Sequence, residues 1–315
     1  MRISTKTLLD QYQARKTVKQ KRRFINWLKN HAQEHDYDIK EHTYKSGRGK
    51  NLIVGNPDAA KLFLTAHYDT PPTAIFPIFT IVGNIPLYLL SQIFVFIPVI
   101  AFFWLIHQII HFFMEDFIFS TLTTTIFGLE VPVLIFILLI FWCIQMMMGF
   151  SNKKNANDNT SGVAVLLSLL EDLSYAEREK VCFVFFDEEE KGLVGSKNFK
   201  KSYKNQIKNK PLINFDCVAH GKHLLFIRKK QFQKSIFDDL LAEVSGDAVM
   251  ADSKKYIYPS DQWIFKNSVG VAALHRLPLL GFYLSRLHSR FDQKFNHENI
   301  EILNQIMKKF IGNIS

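Results

Sequence analysis

The stretch VCFVFFDEEEKGLVGS (Val181–Ser196) carries the reading of the fold: six apolar residues, then four consecutive acids, then two glycines. Val181–Phe186 reads as a short strand buried on both faces. The acids Asp187, Glu188, Glu189 and Glu190 follow at its carboxyl end. The same grammar recurs along the chain. LFLTAHYD places His67 and Asp69 after the strand Lys61–Ala66. LINFDCV places Asp216 after Leu212–Phe215. YLSRLHSRFD places His288 and Asp292 after Gly281–Leu284, and NANDNTSG places Asp158 just before a helix, Thr160–Leu173.

Outward from these points the pattern alternates. Ser4–Asn30 reads as one helix, and Tyr37–Tyr44 and Asn51–Val54 as strands. Val194–Tyr203, Phe232–Glu243 and Asn296–Phe310 read as helices. Leu224–Arg228 and Val269–Leu274 read as strands. Strands alternating with helices predict an α/β fold, a mostly parallel central sheet flanked by helices. In such sheets the site lies beyond the carboxyl ends of the strands.

Composition bounds the alternatives. The chain has 315 residues, 48% hydrophobic and 22% charged, with a net charge of +10. That excludes a disordered or low-complexity chain. Three scattered cysteines exclude a disulfide scaffold and fit a reducing compartment. The apolar content is unevenly spread. Pro71–Phe150 contains no Lys or Arg and only three acids, Glu115, Asp116 and Glu130. Twenty helical residues cover ~30 Å, the thickness of a bilayer core. Residues 87–113 and 131–150 are therefore expected to be two transmembrane helices, with Ile75–Pro86 an interfacial or re-entrant entry. Lys61, Lys153, Lys154 and the run from Arg15 to Arg23 flank the block, and the loop Met114–Glu130 has no basic residue. The basic flanks predict that both ends lie in the cytoplasm and the loop outside. The expectation is an integral protein of the cell membrane, anchored in the lipid bilayer, with a cytoplasmic catalytic domain. The basic run is read as a solvated helix face. His107 and His111, one turn apart, are read as a polar contact in the hairpin. The organisation expected is 1–70, the N-terminal part of a catalytic domain; 71–150, a membrane insertion; and 151–315, the remainder of that domain.

An Asp after a strand is usually a turn or helix cap, and a run of Glu is usually a solvated face. Together these stretches say more. Several carboxylates with two imidazoles form a donor set that suits a borderline cation such as zinc. Asp69, two residues after His67, can hold the ring nitrogen left free by a metal. Adjacent carboxylates after Phe186 can divide the work, one binding metal and one moving a proton.

With these residues in view, the sequence resembles the di-zinc aminopeptidases of clan MH (peptidase family M28). The resemblance rests on AHYDT (66–70), NDNTSGVA (157–164), EEKGLVGS (189–196), NFD (214–216), SDQWIF (260–265) and HSRFD (288–292). It implies two zinc ions. His67 and Asp216 would bind one, Glu190 and His288 the other, and Asp158 would bridge them. Glu189 would be the general base, and Asp69 would orient His67. The Asp158–Asn159 peptide would be cis, and the substrate would be a peptide. The sequence departs from the family pattern at Glu188, where a small residue is common, at Ser289-Arg290, and at Gln262.

The resemblance and the apolar block meet in one constraint. His67 and Asp158 must converge on one metal, so the intervening block must cross a bilayer an even number of times, and two spans satisfy this. The expected function is a membrane-anchored metallopeptidase acting on peptides at the inner face. A single-zinc acyl transferase of the glutaminyl-cyclase type and a non-catalytic membrane receptor or scaffold of the same fold are the alternatives. No nucleic acid is expected as a partner.

Overall fold

A computed structural model describes residues 1–44, 47–74, 77–114, 125–126, 129–130, 140, 144, 149–230, 232, 249–253 and 255–314. The chain begins with α1 (Ile3–Gln11) and α2 (Val18–Glu34), then β1 (Ile39–Tyr44), β2 (Gly49–Val54), β3 (Leu62–His67) and β4 (Ile78–Val82). α3 (Ile85–Met114) and the two-residue strands β5 (Thr125–Ile126) and β6 (Leu129–Glu130) follow. Then come α4 (Thr160–Asp172), α5 (Tyr175–Arg178), β7 (Val181–Phe186), α6 (Val194–Ser202), α7 (Lys204–Ile207), β8 (Leu212–Phe215), β9 (His223–Arg228) and β10 (Val249–Asp252). A 3-10 turn (Asp261–Ile264), β11 (Ser268–Leu277), β12 (Gly281–Leu287) and α8 (His297–Asn313) complete the order.

Ten of these strands form one sheet, ordered β1-β2-β7-β3-β8-β11-β12-β4, with β9 and β10 branching from β11. Its centre is parallel, β7-β3, β3-β8 and β8-β11, as is the β9-β10 pair on the branch. β1, β2, β12 and β4 join antiparallel at the two sides. The expected mostly parallel sheet is thus a mixed one. The central strands are the ones covered on both faces, and they are apolar without alternation. β3 and β7 are buried at every position. On one face α4 lies over β3 and β8, with α1 and α8 beside it. On the other face Phe63, Phe186, Phe199 and Phe265 pack together beneath α6 and the 3-10 turn.

Three local readings need correction. The single expected N-terminal helix is two helices, because Thr17 and Gln20 form a capping box that starts α2 afresh. The break between them is filled by Arg15, which is fully buried. Its backbone N–H donates to Thr70 Oγ1 at 2.9 Å and its guanidinium to Thr160 Oγ1 at 3.1 Å and to the Tyr68 carbonyl. Burial pulls its pKa down to about 9, against the attraction of Asp69 and Asp158. Lys21 is likewise mostly buried and bonded to Asp187. The basic run is therefore not simply a solvated face.

The third correction concerns the apolar block. Residues 78–82, expected at a membrane interface, are a strand of the sheet. β4 pairs with β12, and Ile81 and Val82 are fully buried. Part of the block's apolar character is thus spent on the protein's own core. α3 covers the first expected span, with side chains described at only some of its positions, among them exposed Ile93, Phe94 and Trp104. Among the described residues no helix is long and apolar enough to cross a membrane. The expectation of an integral membrane protein with an inserted transmembrane hairpin is corrected accordingly. Nearly all of 131–150 and of the 115–130 loop, the side chains of His107 and His111, and nearly all of the expected helix at Phe232–Glu243 lie outside the described residues. The two ends of the block are held side by side: Pro72 bridges Ser151, and Thr73 N–H donates to the Phe150 carbonyl at 2.8 Å.

Gly162, in the first turn of α4, makes a close approach that only a glycine permits. A Cβ there would lie 2.2 Å from the Phe215 carbonyl oxygen. Alanine favours a helix interior over glycine by ~1 kcal/mol, whereas over-packing costs about 1–3 kcal/mol. Gly162→Ala is expected to destabilise the protein by about 1–3 kcal/mol in denaturant unfolding. Unchanged or increased stability would contradict this packing of α4 on β8.

Candidate metal centre

The parallel centre of the sheet ends in register, so its loops emerge side by side. His67 closes β3 opposite Phe186 of β7, and Tyr68 N–H donates to the Phe186 carbonyl at 2.8 Å. Asp216 follows β8, its N–H bonded to the Val271 carbonyl at 3.0 Å. His288 follows β12. Asp158 precedes α4, and the Asp158–Asn159 peptide is cis. Asn159 caps α4 through Gly162 N–H at 2.8 Å and donates its amide to the Phe215 carbonyl at 2.9 Å. That ties the Asp158 turn to the strand that delivers Asp216.

Five side chains converge there. His67 Nε2 lies 3.5 Å from Asp158 Oδ1 and 3.6 Å from Asp216 Oδ1. His288 Nε2 lies 3.1 Å from Asp158 Oδ2 and 3.4 Å from Glu190 Oε2. Asp158 thus presents one oxygen to each imidazole. The donors fall into overlapping sets that could each hold a cation, His67/Asp158/Asp216, Asp158/Glu190/His288 and His67/Glu189/Glu190, and Asp158 joins the first two. Two donors ~2.0–2.1 Å from one tetrahedral zinc stand ~3.3 Å apart, close to these separations. Asp216 Oδ1 and Glu190 Oε1 are buried and accept no hydrogen bond from the described residues. Such atoms are costly unless a cation or proton meets them. The donor set therefore fits zinc.

The charges strain against one another when only protein atoms are counted. Burial opposes ionisation of Asp158, and His288 and His67 outweigh it, holding its carboxyl well below the usual range. Burial opposes protonation of His67, but Glu189, Asp158, Asp216 and Asp69 raise it well above the ordinary imidazole value. Glu189 is pushed well up by burial, with Asp261, Asp216 and Asp69 adding to the rise and His67 opposing it. A cluster that draws a proton this strongly is one that attracts cations.

Asp69 lies beside His67 Nδ1 and also holds a neighbouring loop. The Asp69 carbonyl is the nearer partner of His67 Nδ1, at 3.1 Å, and its carboxylate oxygen lies at 3.6 Å. That carboxylate accepts the backbone N–H groups of Glu189, at 3.0 Å, and Glu190, at 3.3 Å. It fixes the loop that carries both residues. Glu188 on this loop has φ 56°, the left-handed region where glycine carries no steric cost. That explains why a small residue suits the position. Cys217 and His288 also adopt left-handed backbone, at φ 56° and 54°. Non-glycine residues held this way gather at functional sites.

Several positioning groups were quoted in the sequence motifs without a role. Asp292 accepts the N–H groups of Asn157 and Asp158 at 2.9 and 3.0 Å. Asn157 Oδ1 accepts those of Ala219 and His220, both at 2.9 Å. Gln262 accepts from Asn214 Nδ2 at 3.0 Å and donates to the Tyr258 carbonyl at 2.7 Å. It is a brace between β8 and the 3-10 turn. Asp261, fully buried, is pushed up to about 7 by its burial. Only the acids' positions inside motifs hinted at them, because their partners lie far away in sequence.

Asp292→Ala would leave two buried N–H groups unpaired and release the Asp158 turn. Loss of such a supporting group typically costs 10–100-fold in metal affinity. Zinc competition against a chromogenic chelator is expected to show a fall of about that size, and an unchanged affinity would contradict the positioning role.

The fold is similar to that of the Bacteroides thetaiotaomicron glutaminyl cyclase bound to N-acetylhistamine: TM-score 0.59, 13% identity, covering 99% of this chain and 96% of that one. A Zn-dependent exopeptidase from Parabacteroides distasonis gives 0.58 at 13% identity, covering 99% and 95%. The Legionella pneumophila LapA aminopeptidase gives 0.54 at 13%, covering 98% and 67%. At these identities the likeness shows the shared fold. No curated protein sequence matches the chain. The model of peptidase family M28 matches residues 147–315, more than half of the chain and four of the five converging side chains. The chain belongs to peptidase family M28 and is a metallopeptidase.

Proposed function

We propose that this metallopeptidase is an aminopeptidase that works with two zinc ions. His67 and Asp216 would hold one ion, Glu190 and His288 the other, and Asp158 both. Glu189 is the general base. The observation that carries the reading is Asp158 itself, with one carboxylate oxygen on each imidazole. Under this reading residues 1–70 and 151–315 build one catalytic unit around the intervening segment.

Zinc bound here would supply Lewis acidity to a peptide carbonyl and to the attacking water. The chain's own part is positional and protonic. Glu189 is partly buried, with a carboxylate oxygen within 4.8 Å of donor atoms of His67 and Glu190, and its backbone N–H is held by Asp69. Its carboxylate takes the proton of the attacking water and returns it to the departing amine. Burial and the neighbouring acids raise its proton affinity, which suits a group that must carry a proton between two steps. Asp69 holds the base and the adjacent ligand in a fixed relation, so the proton acceptor and the cation donor cannot drift apart.

A panel of aminoacyl amides tests the reading, with zinc content measured in parallel. Glu189→Gln keeps the shape of the side chain and removes the base. Turnover is expected to fall by about 10²–10⁴-fold with the zinc content of the wild type retained. Unchanged turnover would remove Glu189 from the mechanism. Cyclisation of glutaminyl peptides with release of ammonia, in place of amide hydrolysis, would favour the acyl-transfer alternative. Two zinc ions with no turnover on any amide or peptide would favour a non-catalytic binding role.

A further inference from the structure

We propose a separate cation site formed by His31, His35 and Glu171, away from the candidate active site. His31 lies in the last turn of α2 and His35 is the residue that ends it. A spacing of four puts both imidazoles on one side of the helix. Glu171 comes from the last turn of α4. One donor atom from each of the three lies within 4.8 Å of the others.

The contact between His31 and Glu171 is the telling one. His31 Nε2 faces Glu171 Oε1 at 3.0 Å, and, against the effect of burial, His31 helps to hold the Glu171 carboxyl below its usual range. Nitrogen and carboxylate oxygen meet at a separation that one shared proton or one shared cation spans. A shared cation satisfies that arrangement, since two donors of one tetrahedral zinc stand ~3.3 Å apart. The rest of the carboxylate is already engaged. Arg2 reaches Glu171 Oε2 at 3.3 Å, which leaves Oε1 turned toward the imidazole and fixes its direction. His31 Nδ1 faces Glu34 Oε2 at 3.8 Å.

The surroundings suit a cation as well. A cavity of about 510 Å³, walled in part by Trp27 and Glu34, opens over the group, so water can complete four-fold coordination. The carbonyl end of α2 points here, and helix carboxyl ends favour positive charge. Two imidazoles and one carboxylate select a borderline divalent ion of zinc's class over calcium or magnesium. The site would tie α2 to α4 at the opposite end of α4 from Asp158. A 13-residue helix puts the two ends ~20 Å apart. Its role would be a staple holding the N-terminal helices on the sheet, independent of the peptidase reading.

The test counts zinc per chain after equilibrium dialysis, by elemental analysis, in the wild type, His31→Ala/His35→Ala and the milder Glu171→Gln. Thermal unfolding is followed with and without zinc. The double variant is expected to hold one zinc fewer than the wild type and to gain less in melting temperature when zinc is added. Glu171→Gln is expected to weaken the same equivalent and covers the case in which the double variant does not fold. Equal zinc content in the wild type and the variants would overturn the proposal and leave His31 and Glu171 as a simple ion pair. An error in the candidate active site would change the total in all three proteins alike, so the difference between them reads this site alone.

Discussion

The structure turns on one carboxylate shared between two imidazoles. Asp158 sits where the chain returns from a long excursion to the sheet, and its oxygens point to His67 on one side and His288 on the other. Almost every unusual local feature nearby serves to keep it there. Asp292 takes the two N–H groups of its turn, Asn159 ties the turn to Phe215, and Gly162 lets α4 press against β8. Acids crowded together in a dry cleft repel one another, and the two imidazoles, with Arg15 and Lys21 nearby, leave Glu189 and Glu190 still drawing protons strongly. A divalent cation bound among these donors would relieve it, which is the physical reason the cluster reads as a metal centre.

The second organising element is the N-terminal segment. Arg15 is buried in the break between α1 and α2, and it bonds to Tyr68, Thr70 and Thr160. These residues flank His67 and Asp158. Lys21 reaches Asp187 beside the Glu188–Glu190 loop. The first two helices therefore brace the loops that carry the candidate ligands, in addition to covering the core. The three aligned carboxyl ends of β3, β7 and β8 supply the platform, and the bracing cations set the distances between the loops.

Much of this is legible in the sequence, for a definite reason. Doubly covered strands such as VCFVFF are apolar at every position, so the first acid or imidazole after each run marks a strand end. His67 and Asp216 follow that rule, and Asp187 does so at the head of the loop that carries Glu189 and Glu190, whereas His288 follows an alternating strand. Asp158 is legible from its place before the helix TSGVAVLLSLLEDL. Contacts made across the fold leave no such trace. Nothing local marks Arg15 as buried, ties the Asp69 carboxylate to the Glu189 and Glu190 N–H groups, or gives Asp292 its place under the Asp158 turn. The capping pair Thr17 and Gln20 was a local signal, and a continuous helical reading passed over it. The apolar block misled because hydropathy reports that side chains avoid water and not what covers them. At Ile81 and Val82 the cover is the sheet itself.

The most direct measurement of the central claim is anomalous X-ray scattering at the zinc edge from crystals grown with zinc. The account predicts two peaks flanking Asp158, one between His67 and Asp216 and the other between Glu190 and His288. An Asp158 carboxylate with no peak on one or both of its sides would contradict it.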